Sequence, residues 1–235
     1  MAFAGTAFLA LWNDIDRSRE AEYDQWHTLE HVPERVAVEG FHGGRRYVSR
    51  ARAEHRYFTL YDVDSMAVFG GLEYRDLLEH PTAWSASMRP AFSNFLRVVC
   101  TLSVSTGTGI GATIACLCLP EDAQDDLVRS ALEAAETLPR VNAVHLGTRQ
   151  ELLTGATPGR PSAQAMGPRS FDRVALIEAL DRPAATDALA RVQQALDLRS
   201  LPRDFGADVY DLAFVFPGHD PVERRTHRRA GWDEG

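Results

Sequence analysis

One pattern of apolar runs occurs twice along this chain, and it limits the fold more than any single motif. The run Thr6–Trp12 is apolar and aromatic and ends at Asn13-Asp14, which predicts a buried strand leading into a helix start. Helical spacing follows from Arg19 to about Val36, with Pro33 near its end. Phe41–Ser49 and His55–Val63 alternate as a pair of strands. A helical stretch then begins at Met66, capped by Asp64 or Ser65 and broken by Gly70-Gly71 and Pro81 before Pro90. Asn94–Ser105 supplies a fourth strand. After a joint at Thr106–Gly111 the order returns: strand Ala112–Leu119, helix Glu121–Leu138, strands Val141–Gln150 and Phe171–Leu180, helix Ala184–Leu198, strand Ala207–Phe216. Strand, helix, strand, strand, helix, strand is the split βαβ arrangement of a ferredoxin-like unit. The reading is therefore α+β, with two tandem βαββαβ units: residues 1–108, residues 109–217 and a tail at 218–235. Phe41-His42-Gly43-Gly44-Arg45 falls opposite Val144-His145-Leu146-Gly147-Thr148, which suggests a duplication.

Charge and composition remove several functional classes. The formal net charge of −8 and the lack of a basic stripe argue against a nucleic-acid partner, since phosphate binding needs dense positive charge. With 45% hydrophobic and 25% charged residues the chain can build an ordinary globular core. All 25 basic residues are arginine. Cys100, Cys116 and Cys118 sit in strand-like apolar runs, and Cys116-Leu-Cys118 lacks CxxC spacing, so they read as buried thiols in a reducing compartment. The run Ala7–Trp12 is too short to span a bilayer and has no basic segment before it; the expectation is a cytoplasmic protein without a membrane partner.

Two familiar motifs fail on context. Gly107-Thr-Gly109-Ile-Gly111 follows a predicted strand as a dinucleotide fingerprint would, but Thr113–Leu119 reads as another strand and offers no helix N-terminus to a pyrophosphate. His27-Thr-Leu-Glu30-His31 has the H-x-x-E-H spacing of some zinc peptidases, yet no third ligand follows at a recognisable distance, so no metal is expected.

That helix remains unusual. A helix covering a sheet should present aliphatic residues, whereas Tyr23, Trp26, His27, Glu30 and His31 fall within roughly 140° of arc at ~100° per residue. Polar groups on such a face need partners or a pocket, and aromatic walls with a few convergent polar groups describe a small-molecule site. Asn13, Arg46, Tyr47, Tyr61, His80 and Trp84 extend the set, although alternation places Arg46 and Tyr47 on opposite faces of their strand. Residues 151–170, rich in Gly, Pro, Ala and Thr, read as a loop beside a pocket. The tail, with Arg224-Arg225 and Arg228-Arg229, reads as a solvated extension.

Trp26-His27, His31-Val32-Pro33, Gly40-Phe41 and Arg45-Arg46-Tyr47, with Glu73-Tyr74, Pro81-Thr82, Trp84 and Phe92, resemble the dimeric α/β-barrel superfamily and its EthD-like branch. The resemblance covers about residues 6–105; the second half is similar in element order alone. It implies that two ferredoxin-like units pair their sheets into a barrel, here within one chain, with a small-molecule site between sheet and helices. It also implies a lyase or isomerase, a cyclase or decarboxylase for instance, working without a tightly bound cofactor on an apolar or aromatic substrate. His31 matches the branch's recurrent helix histidine before Val-Pro. The extra His27 and Glu30 depart from the branch's commonest pattern; read from the residues themselves, His31, His27, Glu30 and Tyr61 would be catalytic, while Asn13, Trp26, Arg46, Tyr47, His80 and Trp84 would bind substrate. More distant relatives bind haem, which makes haem held by His27, His31 or His80 one alternative; a ligand-binding module without chemistry is another. A homo-oligomer built through other faces is compatible with either.

Overall fold

The computed structural model describes residues 3–151, 171–198 and 207–218. The segment 152–170 and the arginine-bearing tail beyond residue 218 lie outside them, and so do the expectations placed there.

Eight strands form the frame: β1 (Ala7–Ile15), β2 (Phe41–Val48), β3 (Tyr57–Val63), β4 (Phe92–Gly107), β5 (Thr113–Pro120), β6 (Val141–Gln150), β7 (Phe171–Ala179) and β8 (Ala207–Pro217). They close into an antiparallel barrel in the order β1-β3-β2-β8-β5-β7-β6-β4. The first half contributes β4-β1-β3-β2 and the second β6-β7-β5-β8, so each half keeps the ferredoxin-like strand order. The expected α+β barrel of two βαββαβ units in one chain is the observed fold.

Two long strands make the corners. The first part of β4 pairs with β1, and its second part pairs with β6. Likewise β8 pairs with β5 through Ala207–Asp211 and with β2 through Asp211–Pro217. Closure leaves no open edge, which removes the template for edge-to-edge aggregation.

The two-residue period of each strand divides the side chains between the barrel interior and the helices. Along β1, Phe8, Ala10 and Trp12 point inward and pack with Tyr47, Phe58, Cys100, Cys116 and Tyr210. Leu9, on the other face, packs with helix residues, and Leu11 packs beside it. All three cysteines are free and buried in the interior, where burial raises the Cys100 and Cys116 thiols above their ordinary pKa.

Outside the second half, α5 (Asp125–Glu136) and α6 (Arg182–Ala195) cover the sheet as the aliphatic pattern predicts. Val128, Leu132, Leu189 and Val192 pack on Leu117, Leu119, Val144 and Ile177. The first half is covered differently. There α1 (Glu20–Trp26) runs into a π-helical turn (His27–His31) and then α2 (Val32–Val36), while α3 (Leu72–Glu79) and α4 (Ala83–Met88) form the second, broken helical region.

A charged cluster inside the barrel ties the halves together. Arg45 on β2 donates from Nη1 to Glu178 Oε1 on β7 at 2.6 Å, and the Gly111 amide donates to Glu178 Oε2 at 2.7 Å. His145 on β6 places Nε2 3.4 Å from the same carboxylate. Burial alone would raise the Glu178 carboxyl, but Arg45, His145 and the Gly111 amide together hold it below the ordinary range. This explains the glycine-rich joint: a Cβ on Gly111 would stand 2.6 Å from both the backbone nitrogen and oxygen of Ala179. The joint positions a backbone donor for a buried carboxylate, and it opens no helix.

The residue-by-residue match between 41–45 and 144–148 is not a structural equivalence. Gly44 faces Val32 and Tyr61 on the helix side, whereas Gly147 faces Phe8 and Cys100 inside the barrel. An alignment that pairs opposite strand faces is out of register by an odd number of residues.

Candidate functional site

The covering of the first half leaves a cleft of about 100 Å3 between the sheet and the helices. Leu9, Leu11 and Asn13 of β1, Thr59 and Tyr61 of β3, and Phe95 and Arg97 of β4 form its floor. Trp26, His27, His31, Glu34 and Arg35 line the wall made by α1, the π turn and α2; Tyr74, Leu77, Pro81, Ser85, Arg89 and Phe92 complete the opposite side.

The π turn has a cause in the sequence. Pro33 has no backbone N–H and its ring crowds the carbonyl one turn back, so an ordinary α-turn is disfavoured just ahead of it. The helix widens instead, and the Val32 amide donates to the carbonyl of His27, five residues back. At roughly 85° per residue instead of ~100°, the wider turn brings His31 almost directly over His27 and rotates Glu30 off that line. The two imidazole centroids stand 5.4 Å apart, and His31 lies 4.3 Å from the Trp26 ring.

Of the residues expected at a site, Asn13, Trp26, His27, His31 and Tyr61 line the cleft. Glu30 does not. Its Oε1 accepts from Thr82 Oγ1 and from Ser85 Oγ at 2.9 Å, while Ser85 Oγ accepts from Trp26 Nε1 at 3.1 Å. Glu30 thus fastens the start of α4 to the helix carrying Trp26, and it does not orient His31.

The remaining expected residues are elsewhere for reasons of face and exposure. Tyr47 points into the barrel, 5.8 Å from the Phe58 ring. Arg46 takes the opposite face, as alternation requires, but pairs with Asp24 at 3.3 Å behind Tyr23. His80 is exposed and binds Asp76 at 3.0 Å. Trp84 donates to Glu22 at 3.1 Å and packs beside Trp26 and Met88, outside the cleft.

Electrostatics sort the lining groups. His27 is 4% exposed, with Nε2 3.3 Å from Thr59 Oγ1. Burial first, then the positive charges of Arg46 and Arg35, hold its pKa well below the ordinary value, so the ring is a neutral imidazole. Burial raises the Tyr61 phenol far above its ordinary value, so it stays protonated and able to donate. The Tyr61 hydroxyl and His27 Nδ1 are both buried with no hydrogen-bond partner among the described residues. Buried polar atoms are nearly always satisfied, and exceptions on both the floor and the helix wall of one cleft call for an explanation.

Sequence reasoning missed the guanidinium side of the cleft. Arg35 carried a signal, since His27, His31 and Arg35 recur at every fourth residue. Arg97, Phe95 and Thr59 gave none, because only strand pairing across β4, β1 and β3 assembles them. Among the described residues, no group of three or more His, Cys, Asp or Glu side chains is placed to hold a metal ion. No helix among them is long and apolar enough to cross a membrane.

A closed barrel of two ferredoxin-like halves, with a small-molecule-sized cleft between one sheet and its helices, makes this a dimeric-type α/β-barrel protein folded from a single chain. Solved structures of other proteins share that fold. An anthrone oxidase-like protein is 10% identical, with a TM-score of 0.57 over 94% of this chain and 97% of its own. A proposed monooxygenase from Fusobacterium nucleatum is 11% identical, with a TM-score of 0.53 over 92% of this chain and 96% of its own. A proposed chlorite dismutase is 12% identical, with a TM-score of 0.52 over 88% of this chain and 94% of its own. The sequence matches no known family signature and no curated protein.

Proposed function

We propose that the chain is an enzyme of lyase or isomerase type, which moves a proton on a small, largely apolar or aromatic substrate without a tightly bound cofactor. One observation carries the reading. A helix wall that should be aliphatic instead brings two imidazoles onto a cleft, where the Tyr61 hydroxyl and His27 Nδ1 are buried and unpartnered. Neighbours of this fold described as a monooxygenase and as anthrone oxidase-like support an enzyme acting on a small organic molecule.

The roles follow from each group's surroundings. His31 is the half-buried imidazole at the cleft and takes the proton from a substrate carbon as general base. Charge then develops on a conjugated oxygen. Tyr61, kept protonated by burial, donates to that oxygen, and its hydroxyl has no internal bond to give up. Neutral His27 assists in the tautomer where Thr59 donates to Nε2, which leaves Nδ1–H unspent. Trp26, Leu9, Leu11 and Phe92 supply an apolar wall that strengthens these bonds by excluding water. Asn13, at the His27 end of the floor, is a further polar contact for substrate.

Haem is the alternative reading. Of the three candidate axial ligands, His80 is exposed and paired with Asp76, and His27 Nε2 faces Thr59. That leaves His31; the cofactor-free reading expects no Soret band in protein purified from haem-replete cells, and a band would favour haem.

The chemistry is tested by proton exchange in D2O. With a panel of aryl ketones and aromatic enols followed by 1H NMR, the native chain should accelerate exchange of an acidic C–H. His31→Gln should reduce that rate at least about a hundredfold, with the circular dichroism spectrum unchanged. Exchange as fast in His31→Gln as in the native chain would reject the assignment.

A further inference from the structure

We propose that the ligand of this cleft is a carboxylate on an apolar body, with the carboxylate held by Arg35 and Arg97 at the Tyr74 end. The inference takes from the proposed function only that the cleft receives a small molecule. It stands on an internal comparison among arginines. Four arginines are at least nine-tenths buried: Arg35 at 8% exposure, Arg45 at 4%, Arg46 at 6% and Arg173 at 5%. Three are paired, Arg45 with Glu178, Arg46 with Asp24, and Arg173 with Asp125 and Asp172. Arg35 is the exception. Among the described residues it makes no hydrogen bond or ion pair, and its Nη1 is buried without a partner.

A guanidinium stays charged at any physiological pH, so it cannot escape burial by losing a proton. Removing it from water costs several kcal/mol unless an anion compensates. The missing anion is the natural occupant. Arg97 repeats the pattern: its Nη2 donates to Tyr74 Oη at 2.7 Å, while its Nε is buried and unpartnered. Both guanidiniums face one aromatic ring, Arg35 at 6.0 Å and Arg97 at 5.8 Å from the Tyr74 centroid. Arg89, a third cation on the lining, donates to the Leu78 carbonyl at 3.2 Å. Glu34 is the one carboxylate on that lining.

The geometry favours a carboxylate on an organic body. Two forked donors face one ring on a lining they share with Tyr61, which suits a flat two-oxygen acceptor. Leu9, Leu11, Leu77 and Phe95 surround the rest of the space, which would leave a fully hydrated inorganic anion without partners on most sides. A carboxylate at the Tyr74 end directs the apolar body along Leu9 and Leu11 toward Trp26 and His31. The substrate class is thus a small carboxylic acid with an apolar body.

Calorimetric titration of the full chain with 3-phenylpropionate, 3-phenylpropanamide and inorganic phosphate tests this. The acid should bind roughly ten- to a hundredfold more tightly than the amide, the range expected for charged hydrogen bonds. Arg35→Met and Arg97→Met should each erase most of that preference, the acid losing far more affinity than the amide. Arg35→Met should melt no lower than the native chain, because it removes an unpaired buried charge. Equal affinity for acid and amide, no binding of either, or a preference that survives in both variants overturns the inference. Phosphate binding as tight as the acid's would make this an inorganic anion site and also overturns it. If Arg35→Met unfolds, Arg97→Met and Arg35→Lys, the latter expected to retain part of the preference, decide the question. Acid preference without any C–H exchange by the native chain would sink the proton-transfer reading alone; exchange without acid preference would sink this inference alone.

Discussion

Replacing Tyr61 with phenylalanine should make the empty protein more stable while impairing its activity. The Tyr61 hydroxyl is buried and has no partner among the described residues, and the residue itself is 1% exposed. A buried hydroxyl that loses its hydrogen bonds to water costs about 1–3 kcal/mol. Deleting one oxygen leaves a space of at most ~15 Å3, worth roughly 0.3 kcal/mol at the usual cavity coefficient. The net gain is therefore about 1 kcal/mol, which raises the melting midpoint by about 2–4 °C in a chain of this size. Urea and thermal unfolding of the ligand-free variant measure it, with proton exchange on the NMR panel alongside. Loss of a donor to a developing oxyanion should slow exchange by about a hundredfold. A midpoint lowered by several degrees would show that the hydroxyl is bonded within the fold, and the argument for it as a waiting donor would collapse.

Acidification gives a second readout. Burial and nearby arginines depress His27, and burial depresses His145 despite the opposing Glu178. Between pH 6.5 and their lower folded values the unfolded chain binds more protons, so stability falls as pH drops through that window. The slope is at most about 1.4 kcal/mol per pH unit for each ring. Urea midpoints from pH 7.5 to 5 should show it, and His27→Asn should remove its share; a flat profile would contradict the burial argument. The Glu178 contribution, from a depressed carboxyl, is present above ~4.3 and is lost only as pH falls below that, so the windows separate. Glu178→Gln leaves Arg45 as a buried charge without its carboxylate and should cost about 3–5 kcal/mol in chemical denaturation. A loss under ~1 kcal/mol would mean that the cluster does not hold the halves together.

Much of the fold was legible in the sequence because its signals are local. The twofold order of strands and helices follows from hydrophobic period and from Gly and Pro punctuation, and β6 occupies the predicted Val141–Gln150. The first helix's polar and aromatic face also pointed to a cavity, and Trp26, His27 and His31 line a cleft where α5 and α6 pack with aliphatic side chains. Its finer spacing failed at Pro33, where the wider turn moves Glu30 into a bond with Thr82 and Ser85. A 3.6-residue rule carries no information about a turn that departs from it.

The sequence by itself determined which residues form strands, which strand faces are apolar, and that one helix carries a stripe of aromatic and polar side chains. Tertiary structure alone decided that Arg45 meets Glu178 across the halves, and that Arg97 and Arg35 flank Tyr74 on one side of the cleft. The reason is physical. Periodicity fixes the direction of a side chain relative to its own element, while charge pairing depends on distances between elements far apart in the chain, and strand register sets those distances only once the barrel has closed.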